Sequence, residues 1–190
     1  MTYCQFAATL SADSTDPNKH YHDHVYGFAV EADNELFARL VLEINQAGLS
    51  WTTILKKWQG FYQAYAQFDI ATVAAFNEAD VARLLADASI IRNRLKVQAA
   101  VYNAQQIMGL QQEYGSFKAW LDHHHPLDKN AWVKLFKQHF KFVGGEIVNE
   151  FLMSTGYLAG AHEESCPVLS QVLASKPLFA QTPLQDDTPC

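Results

Sequence analysis

Residues 84–96 have the sequence LLADASIIRNRLK. The stretch contains the end of one helical pattern, a tight apolar hairpin and the start of a second helix that extends to about Glu113. Unpaired backbone N–H groups and the positive end of the helix dipole make such a helix start suitable for binding phosphate. Arg92, Arg94 and Lys96 add positive charge there. Taken alone this pattern is weak, because basic helix starts also occur on ordinary solvated faces.

Helical periodicity continues along the chain, and no run of alternating apolar and polar residues is bounded by hairpin turns. The sequence therefore predicts an all-α fold. The first long helix is expected from Asn34 to Ala47, with Asp33 as N-cap and Gly48 as its stop. Further predictions are a helix over residues 51–67 capped by Ser50, short helices starting at Asp69 and Asn77, and helices over 116–122, 129–141 and 146–157.

The length of 190 residues and an apolar content of 49% predict one globular domain, placed here at residues 1–166. Residues 167–190 are expected to be a peripheral tail. We find neither a signal-peptide pattern nor an uncharged apolar run of membrane-spanning length, so no membrane association and a cytoplasmic location are expected. Nothing in the sequence demands more than a monomer.

The charge distribution is uneven. A net charge of −6 is unfavourable for binding nucleic acid, whose affinity comes largely from lysine and arginine contacts to phosphate. Residues 90–141, however, contain eight basic against three acidic side chains, whereas the rest of the chain contains six against seventeen. A locally basic face on an acidic protein is therefore compatible with the composition.

Two metal sites are conceivable. Cys4 and the pair His162-x-x-x-Cys166 offer three ligands for zinc, and His22 completes a Cys2His2 set if the chain ends meet. The alternative is buried free cysteines and solvated histidines. A second set, His20-x-His22-x-His24, would share one side of an extended strand, but no strand is predicted there.

Glu43 lies at the edge of the apolar stripe of the first long helix, where a carboxylate needs a partner. The partner is either a structural arginine or a cationic ligand. Trp51, Tyr21 and Tyr26 supply flat surfaces that suit a planar cation, although each ring suits a protein core equally well.

Together these segments resemble the DNA-3-methyladenine glycosylase I (Tag) family of the helix-hairpin-helix glycosylase superfamily. The resemblance extends from residue 4 to about residue 166. It is carried by Cys4, Tyr21-His22-Asp23, Leu42-Glu43, Gln46-Ala47-Gly48-Leu49-Ser50-Trp51, Ile54-Leu55-Lys56-Lys57, residues 90–96, residues 140–144 and His162-x-x-x-Cys166.

The resemblance implies a helix-hairpin-helix DNA glycosylase that excises 3-methyladenine from alkylated double-stranded DNA by base flipping. It also implies that a structural zinc on Cys4, His22, His162 and Cys166 joins the two termini. Glu43 would hydrogen-bond the extruded base and stabilise the transition state, and Tyr21 and Trp51 would sandwich the base. Tyr26 and Phe6 are further base-binding candidates, and the DNA backbone would be held by Ser89, Ile90, Arg92, Arg94 and Lys96.

The chain departs from the family pattern at several positions. Ser89 occupies a hairpin position where the family usually has glycine, so a positive φ there would be costly. Phe6 and Tyr26 stand where tryptophan is common in the family, and the segment between Asp16 and Tyr21 is shortened and lacks an aromatic residue of the family pattern. These departures motivate an alternative, a catalytically silent or substrate-shifted DNA-damage-binding protein. A metal-dependent hydrolase using His20, His22 and His24 is a third hypothesis.

Overall fold

The computed structural model describes residues 1–181; residues 182–190, which include Cys190 and the last part of the predicted tail, lie outside the described residues. Residues 1–181 contain helices and no strand, which confirms the all-α prediction. None of these helices is long and apolar enough to cross a bilayer. The helices are α1 (Tyr3–Ala8), α2 (Pro17–His24), α3 (Asp33–Gln46), α4 (Trp51–Lys56), α5 (Trp58–Ala64), α6 (Ile70–Ala74), α7 (Glu78–Ala86), α8 (Arg94–Tyr114), α9 (Phe117–His124), α10 (Lys129–His139), α11 (Gly145–Ser154) and α12 (Leu169–Ala174).

Helix α3 is the centre of the fold. Every residue from Leu36 to Asn45 is buried, because α4, α6, α8, α9 and α11 all pack around it. The predicted stop is confirmed, since Gly48 adopts a φ of +85° just beyond the helix. The predicted N-cap is wrong. Asp33 is the first helical residue, and its carboxylate instead accepts the backbone N–H groups of Phe117 and Lys118 at 2.8 and 2.9 Å, at the start of α9.

The single helix predicted over residues 51–67 is divided in two. Lys57 leaves helical geometry between α4 and α5, and Ala66, Gln67 and Phe68 form a short 3-10 turn with φ values of 51–59°. The predicted cap at Ser50 is confirmed, because its side chain accepts the backbone N–H of Thr53. The break reorients the chain and brings α5 against the segment that follows α7.

Where the sequence predicts a helix end, a hairpin and a helix start, the structure has α7, a connection over residues 87–93, and α8. Asn77 caps α7 with a reciprocal capping box, and the Asn93 side chain accepts the backbone N–H of Lys96 at the start of α8. Ile90 anchors the connection, since its side chain is buried in the main core. The hairpin is therefore fixed at its centre, and its flanking polar residues face solvent.

The segment after Cys166 is packed as far as the structure describes it. Val172 on α12 is fully buried and contacts a small core that also contains Cys4 and Cys166. The Ser175 hydroxyl accepts the Ala29 backbone N–H at 3.1 Å, and the Phe179 backbone N–H donates to Gly156 at 3.1 Å. Residues 167–181 thus cover the side of the molecule where α1 and α2 meet the end of the chain.

Candidate functional site

A cavity of about 420 Å³ opens beside the middle of α3. It brings together four of the five residues predicted to contact a base, contributed by α2, α3, α4 and the turn after α2. Phe6 is not among its lining residues; its ring contacts Tyr3 at a centroid distance of 6.4 Å. The lining residues are Tyr3, Tyr21, Tyr26, Glu43, Gln46, Trp51, Glu146 and Glu150.

Glu43 is the most deeply buried acid of the cavity, with 4% of its surface exposed. Within residues 1–181 it has no hydrogen bond and no ion-pair partner. The nearby Arg39 guanidinium does not neutralise it directly, because it pairs with Glu35 at 2.7 Å. Burial, with a smaller contribution from the Glu150 carboxylate, raises the pKa of the Glu43 carboxyl to about 8, although the nearby Arg39 guanidinium acts to lower it. The unliganded cavity therefore favours a protonated Glu43 near neutral pH.

Aromatic rings form the wall of the cavity. The Tyr21 and Trp51 rings are in contact, with centroids 5.0 Å apart and planes at 61°. A planar group cannot lie between them in this arrangement, so a sandwich requires Trp51, which is partly exposed, to turn. The Tyr21 hydroxyl and the Trp51 indole nitrogen are both buried without a hydrogen-bond partner in the described part of the chain. Such orphaned donors suit a polar ligand.

Sequence reasoning missed three lining residues, Tyr3, Glu146 and Glu150. Tyr3 directly precedes Cys4, and its ring meets Tyr26 edge to face at 5.6 Å. The two glutamates are four residues apart on α11 and therefore share one face of that helix. The sequence shows this spacing, but it does not show which part of the protein this face of α11 contacts.

The four predicted metal ligands come together. Their ligand atoms all lie within 4.8 Å of one another, and the residues come from α1, α2 and the loop before α12. The Cys166 Sγ atom is 3.4 Å from His162 Nδ1 and 3.6 Å from His22 Nε2, and Cys4 Sγ is 3.7 Å from His162 Nδ1. Tetrahedral ligands at about 2.0–2.3 Å from an ion are about 3.3–3.8 Å apart. The set can therefore hold a metal ion.

The outer nitrogens of both histidines are also held. His22 Nδ1 is 2.7 Å from the Asp23 carboxylate, and His162 Nε2 is 2.7 Å from the Tyr26 backbone carbonyl. These bonds leave the opposite ring nitrogens directed at the cysteines, as in metal sites with ordered outer partners. The alternative triad is not assembled. His20 and His24 pack against each other at 5.1 Å on helix α2, whereas His22 faces the cysteines.

The hairpin holds the predicted backbone-binding residues in different environments. Arg92, Arg94 and Ser89 are exposed, whereas the Ile90 side chain is buried. The Ser89 N–H is already bonded to the Asp87 carboxylate at 2.8 Å. Within residues 1–181 the N–H groups of residues 90–92 have no acceptor. A phosphate contact at this turn would therefore use residues 90–92 and the two arginines.

Two expectations about the hairpin are wrong. Lys96 is only 7% exposed, and its ammonium group donates to the carbonyls of Asn45 and Ala47 at 3.0 and 2.9 Å. It therefore joins α8 to the end of α3 instead of meeting phosphate. Ser89 does not adopt a positive φ, so the expected backbone penalty is absent. Instead, the space for its side chain comes from Gly60 on α5, where an added Cβ would lie 2.5 Å from the Ser89 carbonyl and 2.7 Å from its Cβ.

Residues 90–141 present fewer unpaired positive charges at the surface than their eight basic residues would suggest. Besides the buried Lys96, three of their cations pair with acids: Arg94 with Glu78, Lys118 with Asp122, and Lys129 with Glu146. Cations without an ion pair in the described part of the chain are Arg92, Lys134, Lys137 and Lys141.

Comparison with known proteins gives a consistent result. The family model described as methyladenine glycosylase matches residues 11–133. The chain is 35% identical over 165 residues to DNA-3-methyladenine glycosylase 1 of Escherichia coli K12, covering 77% of this chain and 88% of that protein. DNA-3-methyladenine glycosylase of Haemophilus influenzae is 29% identical over 166 residues, covering 77% of this chain and 89% of that protein. The structure of 3-methyladenine DNA glycosylase I from Staphylococcus aureus superposes with a TM-score of 0.74 at 31% identity, covering 88% of this chain and 97% of that one.

Proposed function

The chain belongs to the methyladenine glycosylase family, and from this premise we propose that it excises 3-methyladenine from alkylated double-stranded DNA. It is a DNA repair glycosylase. The cavity supports this substrate, because it surrounds Glu43, which is buried and unpaired within residues 1–181, with aromatic rings. A planar base with a positive charge complements both features.

The chemistry of the substrate explains why one carboxylate can suffice. Methylation at N3 gives adenine a positive charge and weakens the N-glycosidic bond, so the base departs neutral without protonation by a strong acid. The enzyme must flip the nucleotide out of the stack, which costs a few kcal/mol, and select the cationic ring. An entering cation lowers the pKa of Glu43 and converts it to the carboxylate. That carboxylate accepts hydrogen bonds from the base and stabilises the oxocarbenium-like sugar electrostatically.

The aromatic residues would then hold the base by stacking. Tyr21 is fixed in the core and provides one face, and Trp51 provides the other after it turns away from its edge contact with Tyr21. Tyr26 closes the end of the cavity. The Tyr21 hydroxyl supports this arrangement, since it is buried without a hydrogen-bond partner within residues 1–181 and can bond to a ligand.

DNA would be held mainly by the hairpin. Arg92 and Arg94 are exposed at the start of α8, and the N–H groups of residues 90–92 are available to a phosphate. The weak Arg94–Glu78 pair, at 3.5 Å between exposed side chains, can be exchanged for phosphate at little cost. We propose that the protein acts on DNA as a monomer.

The metal set fits structural zinc. Cysteine thiolates and histidine nitrogens are the ligands that zinc takes in closed tetrahedral sites, and four protein ligands leave no position for an activated water. Bound zinc would supply a cross-link between α1, α2 and the loop before α12. His162 also bonds the Tyr26 backbone, so the cross-link supports one wall of the cavity.

Replacement of Glu43 tests the proposed activity. Wild-type protein is expected to release 3-methyladenine from methylated DNA, and Glu43→Gln to lose about a hundredfold in rate while retaining DNA binding. Chromatography of the freed bases measures release, and gel-shift titration measures binding. The exposed Glu113→Gln, which makes the same side-chain substitution on α8, is the matched control.

Two outcomes would contradict this assignment. Wild-type protein that binds DNA without releasing any methylpurine above the spontaneous rate would indicate a silent damage-binding protein. Full activity in Glu43→Gln would remove Glu43 from the mechanism.

A further inference from the structure

We propose that Glu150 is a second recognition residue of the cavity and that it makes the cavity prefer positively charged purine bases over neutral ones. This inference rests on the proposed function and names the property of the base that the enzyme selects. It concerns a residue on α11 that the sequence patterns did not single out.

Glu150 is positioned by a specific contact. It lies on the same cavity as Glu43, half-buried, and its Oε2 atom accepts the Tyr26 hydroxyl at 3.1 Å. Tyr26 is itself 8% exposed and is fixed through its backbone carbonyl by His162. The orientation of the Glu150 carboxylate is therefore determined by a buried neighbour and is directed at the cavity.

No cation of residues 1–181 pairs directly with either carboxylate, although Arg39 acts on Glu43 and Lys129 on Glu150 from a distance. Within residues 1–181 neither Glu43 nor Glu150 has a lysine or arginine at ion-pair distance. Arg39 and Lys129 form ion pairs with other acids: Arg39 with Glu35 at 2.7 Å, and Lys129 with the exposed Glu146 at 3.2 Å. Buried carboxylic acids are normally paired or protonated, so a cavity with one buried and one half-buried acid, neither of them in an ion pair, suits a cationic ligand.

Other groups in the cavity also point to a ligand. The Tyr21 hydroxyl and the Trp51 indole N–H are buried and unpartnered, and both side chains line the same space as the two acids. A cationic ligand of this cavity must therefore be flat enough to contact aromatic rings and must offer polar atoms. An alkylated purine cation meets both requirements, whereas a metal ion or an ammonium group meets neither fully.

Two carboxylates discriminate by charge more strongly than one. In a neutral-base complex, the mutual repulsion of Glu43 and Glu150 keeps a proton on the pair, whereas a cationic base is attracted to both acids and allows both to ionise. Charge leaves the outline of the purine ring unchanged, so shape alone discriminates little between the two states. The N9 methyl group that distinguishes the two probes used below is the same for every variant, so a change of their Kd ratio between variants reports charge.

The test compares binding of two free bases. 3,9-Dimethyladeninium is a permanent cation, whereas 3-methyladenine at pH 8 is neutral; quenching of tryptophan fluorescence gives the two Kd values and their ratio. Wild type is expected to prefer the cation. Glu150→Gln should reduce this preference by about tenfold, the size expected for one partly exposed carboxylate near a cation. Glu150→Asp, which keeps the charge, should restore most of it, and Glu113→Gln should leave it unchanged.

The design separates recognition from folding. A ratio of two Kd values is insensitive to a uniform loss of folded protein, and circular dichroism monitors the fold of each variant. If Glu150→Gln does not fold, Tyr26→Phe tests the same contact, because it removes the hydroxyl that orients Glu150 but keeps the carboxylate. The preference should then fall severalfold.

An unchanged cation preference in a folded Glu150→Gln, or in Tyr26→Phe where the first does not fold, overturns the inference. Release of 3-methyladenine from methylated DNA is measured in parallel with wild type. Normal release with an unchanged preference in the variants means that only the inference fails. Absence of release despite a Glu150-dependent preference means that only the proposed function fails.

Discussion

At the level of single residues, Glu43 combines deep burial with the absence of a paired cation. Its raised pKa has a consequence for stability. The folded protein keeps a proton on Glu43 up to about pH 8, whereas the unfolded chain loses that proton near the ordinary value of 4.5. Because the folded state binds more protons between these values, this residue makes the free energy of unfolding fall as pH rises from about 4.5 to 8.

Glu43→Gln should therefore be more stable than wild type at pH 8, and the difference should shrink as pH falls toward 5. A raised pKa corresponds to about 1.4 kcal/mol per pH unit, so a gain of a few kcal/mol is expected at pH 8. Urea unfolding of both proteins at pH 5.5, 7 and 8 measures it. A difference that does not change with pH would show that Glu43 is not protonated in the folded state.

The surroundings of single residues were predictable from the sequence in some cases and not in others. The sequence places Glu43 at the edge of an apolar stripe but leaves a structural partner open, and its role toward a base is implied only by the resemblance to the Tag family. Lys96 was assigned to DNA because it stands beside two arginines, but a helix start directs neighbouring side chains to different sides. Glu150 gave no signal, since two glutamates on one helix face are ordinary until a cavity is known to lie beside them.

At the level of elements, the hairpin depends on a residue far from it in sequence. Gly60 on α5 leaves room for Ser89, and the Lys57 ammonium on the same side donates to the Ala88 carbonyl at 2.7 Å. A serine in place of the usual glycine is accommodated by the neighbouring helix and not by backbone strain. The part of the alternative function that rested on Ser89 loses its support, whereas Phe6, Tyr26 and the shortened segment after Asp16 still depart from the family pattern.

Gly60→Ala should destabilise the protein by about 1–3 kcal/mol and weaken DNA binding, because the new methyl would meet the Ser89 backbone carbonyl. Gly109→Ala is the matched control, since its Cβ would meet nothing within 4 Å and alanine favours the interior of α8. Thermal unfolding and gel-shift titration measure the two effects. Adding Ser89→Gly should recover only part of the loss, as the carbonyl remains; full recovery would place the conflict in the side chain alone.

Element boundaries were predictable where side chains cap helices and unpredictable elsewhere. Ser50, Asp69 and Asn77 each accept a backbone N–H at a predicted helix start. The break between α4 and α5 occurs at Lys57, and the following turn uses positive φ at Gln67. Neither residue is glycine or proline, so the tertiary packing of α5, rather than local preference, determines the break.

At the level of the whole molecule, the two ends of the described chain meet at the metal set. We expect purified protein to contain about one zinc per chain and Cys166→Ser to lose it together with several degrees of thermal stability. Metal analysis and thermal unfolding measure these outcomes. Cys190→Ser, which changes a cysteine outside the four-residue set, is the control. Less than half a zinc per chain in the wild type, prepared without chelators, would contradict the proposal.

The sequence separation of the four proposed ligands also determines the order in which they are synthesised. Cys4 and His162 are 158 positions apart. At synthesis rates of about 5–20 residues per second, on the order of ten to thirty seconds pass between the two ligands leaving the peptidyl-transfer step. Cys4 and His22 are thus made long before His162 and Cys166, and a metal ion bound by all four could complete its coordination only after residue 166 has been synthesised.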